Sequence, residues 1–438
     1  GFGGGGGGAS GGGAPPPRRL LPLVFLPGML ATCKQLETLS HEGGVLRYAG
    51  VPTFCLEGFA RTDGMDNSAV EAATFLTPLR EQAARIRAQV LRMPQLERGF
   101  HMSGFSQGGL LARIYTQLYN TLPPADAAAS AQCAGSSCGG TVVSQPFRVV
   151  SLFSLHSPQG GISQMPSSWG VLLTVPFGGP SKIYTAAGQR AATFLSFAKD
   201  CSRLAEYRAS SVLAELNNEA DVKQPLYAER LRNLRTFVMA GSSVDGVIVP
   251  PESQMFGFDA CDAAGYGDAD DVVGKGSNGD AAADADAQHL GDLSAAAALL
   301  ARMQQQGGSS GEAEDGGTAQ QPFLSLAPNA SATAEKAAAR LLPIGALGSG
   351  LPLRRSRAYR EDWMGLRSLD EKGRLVFWED GFAHAYTTEP SQEAFRLFDA
   401  MVPYLNVTIE QIEAEEHAER QLNARGRSRQ RAALQARR

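Results

Sequence analysis

The chain has 438 residues, 43% of them hydrophobic, and a formal net charge of −4 at pH 7. That length allows one large or two ordinary domains with a sizeable core, and the slightly acidic balance argues against a nucleic-acid-binding surface. No apolar run approaches the roughly 20 residues that a bilayer-spanning helix needs, so no transmembrane span is expected.

Residues 1–17 are a glycine- and proline-rich leader with nothing to pack. Arg18 and Arg19 ahead of Leu20 to Leu30 imitate a signal peptide. Pro22 and Pro27 interrupt that stretch, however, and Leu23 to Leu26 reads as a short buried strand ending at Pro27-Gly28. Val51 to Leu56 is a second strand candidate. From Phe75 to Leu96 the spacing predicts a helix, with Leu76, Leu79, Ala83, Ile86, Val90 and Leu91 on one stripe. An extended apolar run through Phe100-His101-Met102 precedes a helical one through Leu110 to Tyr115. A small-residue loop from Leu122 to Ser144 leads to a buried-type strand, Arg148 to Leu155.

Residues 162–225 lack clear strand signals and read as a helical cap. Thr236 to Ala240 is again a strand, followed by a loop carrying Asp245. Residues 262–350 are rich in alanine, glycine, aspartate and serine, with too few large apolar side chains to offset their ordering entropy. They read as an insertion in a surface loop, where added length costs little. A last strand from Leu375 to Trp378 and a helix from Gln392 to Tyr404 close the fold, and 409–438 form a charged, helical, solvated tail. Strands alternating with helices over 18–408 predict an α/β domain with a mostly parallel sheet.

The six cysteines are Cys33, Cys55, Cys133, Cys138, Cys201 and Cys261. An even number permits disulfides without demanding them, and the spacing is neither that of a zinc ribbon nor of a redox pair. Cys133 and Cys138 suit either a local bridge or two unpaired loop thiols. Asn406-Val407-Thr408 and Asn329-Ala330-Ser331 match the glycosylation pattern, which mildly favours a secretory route.

The pentapeptide Gly104-Phe105-Ser106-Gln107-Gly108 carries the chemistry. A nucleophile elbow is a sharp strand-to-helix turn that lifts a serine hydroxyl clear of an α/β-hydrolase sheet. In a chain with 50 glycines the pattern G-x-S-x-G also occurs around Ser10, Ser137 and Ser309, but those serines lack a strand before and a helix after. Ser106 has both. A serine hydroxyl needs a base in reach and a third group to orient that base. In α/β-hydrolases these follow in the order Ser, Asp or Glu, His. His41 and His101 precede the serine, His289 lies in the insertion and His417 in the tail, and His156 comes before any suitable acid. His384 remains, in the loop after the last strand. Asp245 follows the preceding strand and is the leading acid, with Glu252 and Asp259 as competitors; an aspartate before glycine is also a good turn former. The N–H groups of Gln107, just after the nucleophile, and Met29, in the loop after the first strand, are the expected oxyanion donors.

Several separated motifs resemble the palmitoyl-protein thioesterases. They are Ser106-Gln107-Gly108-Gly109-Leu110, Ser157-Pro158-Gln159-Gly160, Leu213 to Glu219, Asp245 to Pro250 with Phe256-Gly257-Phe258, Tyr359 to Leu366, and the Gly381–His384 loop. The wording of the Asp245 and Ser157 motifs is closer to the second, acyl-CoA-preferring branch. The resemblance covers about residues 20–260 and 350–408. It implies an α/β-hydrolase of the lysosome or secretory pathway that cleaves long-chain fatty acyl thioesters without metal or cofactor. Ser106 would be the nucleophile, Asp245 the acid and His384 the base, with Met29 and Gln107 at the oxyanion. Pro27 departs from a histidine common in the family before the glycine of the first loop. The cysteine pattern also differs, so no pairing is carried over.

A long acyl chain requires an apolar groove, for which Trp169, Leu172, Leu173 and Phe177 in the cap are the candidates; packing within the cap explains the same stripe. Fold and triad do not fix a substrate. An oxygen-ester lipase or carboxylesterase with the same triad is the alternative, and a non-catalytic lipid-binding module the third reading.

Overall fold

The computed structural model describes residues 19–33, 50–59, 73–121, 146–166, 182–191, 193–257, 341–343, 353–381, 384, 392–415 and a few isolated positions beyond. Six strands form one parallel sheet: β1 (Leu23–Leu26), β2 (Thr53–Cys55), β3 (Phe100–Phe105), β4 (Val149–Leu155), β6 (Thr236–Ser242) and β8 (Leu375–Asp380), in the order β2-β1-β3-β4-β6-β8. All five neighbouring pairs run parallel. Such a sheet must be covered on both faces, and the side chains of β1 show how. Successive residues point to opposite faces, so Leu23 and Phe25 pack in one cluster with Leu397, Phe398, Met401 and Leu405 of α9 (Gln392–Leu405). Val24 and Leu26 join the larger cluster on the other face with α1 (Leu79–Val90) and α2 (Gln107–Tyr119). Tyr115 on α2 and Leu231 on α6 (Pro225–Arg232) extend that second layer.

The expected elements appear in their expected order, with instructive differences. The single helix expected over Phe75 to Leu96 is broken. Residues 73–76 are helical, α1 starts only after Pro78, and a 3₁₀ turn follows at Pro94–Leu96. Both breaks sit at a proline, which lacks the N–H and clashes with the preceding turn. The cap region contains short helices, α3 (Ala186–Ala191), α4 (Leu204–Ser210) and α5 (Val212–Leu216), but also a strand, β5 (Gln164–Pro166). Its partner is β7 (Leu341–Pro343), antiparallel, drawn from the segment expected to be an unstructured insertion. The two short helices α7 (Arg357–Arg360) and α8 (Leu366–Glu371) lead into β8.

The tail also departs from a purely solvated helix. Residues 409–415 are helical, and Ile412 is buried against Leu21, Val150 and Val407. Arg98–Glu413 and Arg235–Glu415 are exposed ion pairs, a class that adds little; the apolar contact of Ile412 is the stronger hold. None of the described helices is long and apolar enough to cross a membrane.

Candidate active site

Ser106 stands between β3 and α2 at φ 54° and ψ −126°, a positive-φ conformation rarely adopted by a non-glycine residue. The glycines around it are there because nothing larger fits. A Cβ on Gly108 would lie 2.2 Å from the Leu26 carbonyl oxygen, and one on Gly104 would lie 2.2 Å from the backbone of Gly108. The elbow therefore closes with β1, β3 and the start of α2 in backbone contact. The other three G-x-S-x-G serines lie outside the described residues.

The loop after β1 packs onto the elbow: a Cβ on Gly28 would come within 3.2 Å of the Ser106 Cβ. This puts the glycine preceding Met29 against the nucleophile, while Gln107, the first residue of α2, offers an N–H that no helix turn satisfies. A buried polar network holds this side. The Gln107 amide donates to the Thr74 carbonyl at 3.1 Å and to Gln82 Oε1 at 3.2 Å. Gln82 donates on to Thr77 and Thr193, and the Leu30 N–H donates to Thr74 Oγ1 at 2.7 Å. The small cavity bounded by Gly28, Thr74, Gln82 and Gln107 is the size of about one water, not of an acyl chain.

The loop is tied down further by the Cys33–Cys55 disulfide, which anchors it to β2 across a sequence separation of 22, and by the Cys33 N–H donating to Glu57. Cys201 is also disulfide-bonded, whereas Cys133 and Cys138 lie outside the described residues. The pairing of Cys33 could not be read from spacing. Replacing Cys33 and Cys55 with serine is expected to cost about 3 kcal/mol through the unfolded chain's regained freedom. Because the bond ends the Met29 loop, kcat should fall more than KM rises; a denaturant titration and steady-state kinetics check both.

His384, in the loop after β8, bridges the other two expected residues. Its Nε2 lies 2.9 Å from Ser106 Oγ and its Nδ1 lies 2.7 Å from Asp245 Oδ2. The Phe105 ring packs against the imidazole at 4.9 Å between centroids. Asp245 is buried just past β6, and its Oδ1 accepts the N–H groups of Val247 at 2.8 Å and Ile248 at 3.0 Å. The turn-forming role and the orienting role thus use different oxygens of one carboxylate. Burial opposes its ionisation, but the neighbouring imidazoles of His384 and His156 and the Ile248 N–H outweigh this and hold it well below the usual carboxylate range. Of the competing acids, Glu252 is exposed and Asp259 lies outside the described residues. So do Trp169, Leu172, Leu173 and Phe177, the candidate groove residues.

Two residues here were not anticipated. His156, at the end of β4, is fully buried, with Nδ1 3.5 Å from Asp245 Oδ2 and Nε2 2.8 Å from Asp380 Oδ2. Chain order removed it from consideration as the base, but sheet order predicts its place. The C-terminal ends of β3, β4, β6 and β8 lie side by side, and open α/β sheets gather their functional groups there. His156, Asp245 and His384 have ligand-type atoms within 4.8 Å of one another. A cation there would have to compete with protons for the ring nitrogens.

The separated motifs also meet in space. Gln159 receives a hydrogen bond from the buried guanidinium of Arg113 on α2 and donates to Ser154 and Ser157. Asn217 donates to the Gln159 carbonyl, and Asn218 donates to the Trp363 carbonyl. The Ser157, Leu213 and Tyr359 segments therefore form one scaffold under the sheet's C-terminal edge.

A family model described as palmitoyl protein thioesterase matches residues 22–266, more than half of the chain. A curated relative, palmitoyl-protein thioesterase 3 of Dictyostelium discoideum, is 32% identical over 178 residues, which is 39% of this chain and 50% of the relative. The chain thus spans about half the length of that relative. With the elbow, the parallel sheet and the family match in agreement, the chain belongs to the palmitoyl protein thioesterase family.

Proposed function

We propose that the protein is a serine hydrolase that cleaves long-chain fatty acyl thioesters, from S-acylated proteins or acyl-CoA, through an acyl-enzyme on Ser106. The observation that carries this reading is the unbroken series Ser106 Oγ, His384, Asp245 at hydrogen-bond distances in a thioesterase family member. In this mechanism His384 Nε2 takes the serine proton as Oγ attacks the thioester carbonyl, and Asp245 holds the imidazole in the tautomer with its proton on Nδ1. The N–H groups of Met29 and Gln107 receive the oxyanion, and such a donor is typically worth about 2.7–4 kcal/mol in the transition state. The departing thiolate, with an ordinary pKa near 8.5, needs less protonation than an amine would. Water, activated by the same imidazole, then releases the fatty acid. None of these steps calls on a metal or cofactor.

Trp169, Leu172, Leu173 and Phe177 are proposed to line the acyl groove, an assignment resting on their apolar spacing. A lysosomal or secretory compartment is proposed too, supported by the Cys33–Cys55 disulfide, since such bonds persist in oxidising surroundings. The exposed side chain of Asn406 in its Asn-Val-Thr sequence is consistent with that route.

The test is turnover of palmitoyl-CoA, an S-palmitoylated peptide and a matched palmitoyl oxygen ester by the wild type and Ser106→Ala. The thioesters should be cleaved at least about 10-fold faster than the oxygen ester. A reversed preference would favour a lipase or carboxylesterase, and binding without turnover of any substrate a lipid-binding module.

A further inference from the structure

We propose that His156 is a positively charged positioning residue, an imidazolium held between Asp380 and Asp245 that fixes the charge and orientation of the carboxylate facing His384. This rests on the thioesterase reading for its kinetic consequence, but not for its chemistry.

The argument is one of donors and acceptors. An ionised carboxylate can only accept hydrogen bonds, and a neutral imidazole has one N–H and one lone pair. His156 presents Nε2 to Asp380 at 2.8 Å, within hydrogen-bond reach, and Nδ1 to Asp245 at 3.5 Å, an ion-pair distance without a formed hydrogen bond. Either neutral tautomer would aim a lone pair at a carboxylate oxygen, across separations too short to admit a bridging water. The doubly protonated ring suits both neighbours. The other groups facing His156 agree. The described titratable side chains around it are Asp245 after β6, Asp380 at the end of β8 and His384 in the next loop, whose ring lies 6.2 Å away. Phe105 of β3 covers the ring at 5.9 Å and is uncharged. Burial works against the charge of His156, but the two carboxylates outweigh it and raise the imidazole to about 9.

The backbone is committed to this placement. His156 has φ 46°, in the left-handed region, and its N–H donates to the Ala240 carbonyl at 2.8 Å, tying the turn to β6. Strain of this kind is retained where a side chain must be aimed. Asp245 Oδ1 is taken by backbone N–H groups, so Oδ2 alone faces both imidazoles, at hydrogen-bond distance from His384 and at ion-pair distance from His156. The result is a row Asp380, His156, Asp245, His384, Ser106 in which the first three members alternate in charge and the last two are neutral before the reaction.

With His156 charged, the Asp380–His156–Asp245 group carries one net negative charge beside His384. Removing the imidazolium leaves two. That extra charge favours protonated His384, which cannot accept the serine proton. In His156→Gln the acidic limb of the kcat/KM profile should therefore move up by about one to two pH units, the size of one charge about 6 Å away at an effective dielectric constant near 20. The double variant His156→Gln/Asp380→Asn restores a single net charge, and its limb should return close to the wild-type position. A neutral His156 gives the opposite pattern: no shift in the single variant and a downward shift in the double.

The charge itself is read without activity. In protein labelled with ¹⁵N-histidine, one imidazole should keep both ring N–H protons at pH 8, and its signals should vanish in His156→Gln. This measurement on the wild type stands even if the variant fails to fold, and even if no thioester is turned over. A wild type with no doubly protonated histidine at pH 8, or an unmoved acidic limb in an active His156→Gln, overturns the proposal.

Discussion

Replacing Ser106 with alanine is expected to lower kcat for palmitoyl-CoA by about 10⁴-fold or more while leaving the protein folded. The elbow's closure depends on the glycines rather than on the serine hydroxyl, whose described partner is His384. Alanine is an L residue of nearly the same size, so the φ of 54° is no worse tolerated than before. Asp245→Asn should cost about 10⁴-fold as well, because an amide can present an N–H to His384 Nδ1 and trap the wrong tautomer. The double variant should be little worse than Ser106→Ala alone, since parts of one catalytic unit do not contribute additively. Initial rates beside thermal melts separate loss of chemistry from loss of fold.

Gly108→Ala carries the second large effect, and it acts on the fold. The added Cβ would meet the Leu26 oxygen at 2.2 Å and the Pro27 oxygen at 2.5 Å. Those are backbone atoms of a central strand and of the loop carrying Met29, so no side chain can swing aside to relieve the clash. A destabilisation above about 3 kcal/mol is expected, at the upper end of overpacking effects, with activity lost because the first loop must leave the elbow. Gly381→Ala is the control for stability. Its Cβ would meet nothing within 4 Å among the described residues, so its melting temperature should stay within about 1 °C of wild type, as for an ordinary surface change. A Gly108→Ala protein as stable as wild type would show that the elbow is looser than its contacts imply.

The pH dependence of stability follows from His156. Its folded-state value is raised from the ordinary 6.5 to about 9. Its contribution is therefore complete below about pH 6.5 and lost as pH rises through 9. Melting temperature should decline across that window in the wild type and less so in His156→Gln.

The sheet was legible because its strands obey simple periods. Leu23 to Leu26, Arg148 to Leu155 and Leu375 to Trp378 are short apolar runs bounded by breakers, and each became a strand at nearly those bounds. The Ser106 elbow was legible from its strand and helix flanks, and elimination by chain order led to two partners whose atoms do lie within hydrogen-bond reach. The same reasoning failed for His156. Order along the chain decides which histidine can be the base, but adjacency in the sheet decides which side chains surround the acid. The β5–β7 pair escaped notice because each strand has three residues and the partners are far apart in sequence. The break at Pro78 was masked by the apolar stripe that continues across it through Leu76 and Leu79.

The central claim is a covalent acyl-enzyme on Ser106, and rapid mixing with palmitoyl-CoA followed by acid quench and peptide mass spectrometry tests it most directly. The account predicts a palmitoyl adduct on the peptide containing Ser106, formed before fatty acid appears, decaying as it does, and absent from Ser106→Ala. Steady turnover with no adduct, or an adduct on a cysteine with Ser106 unmodified, would contradict it.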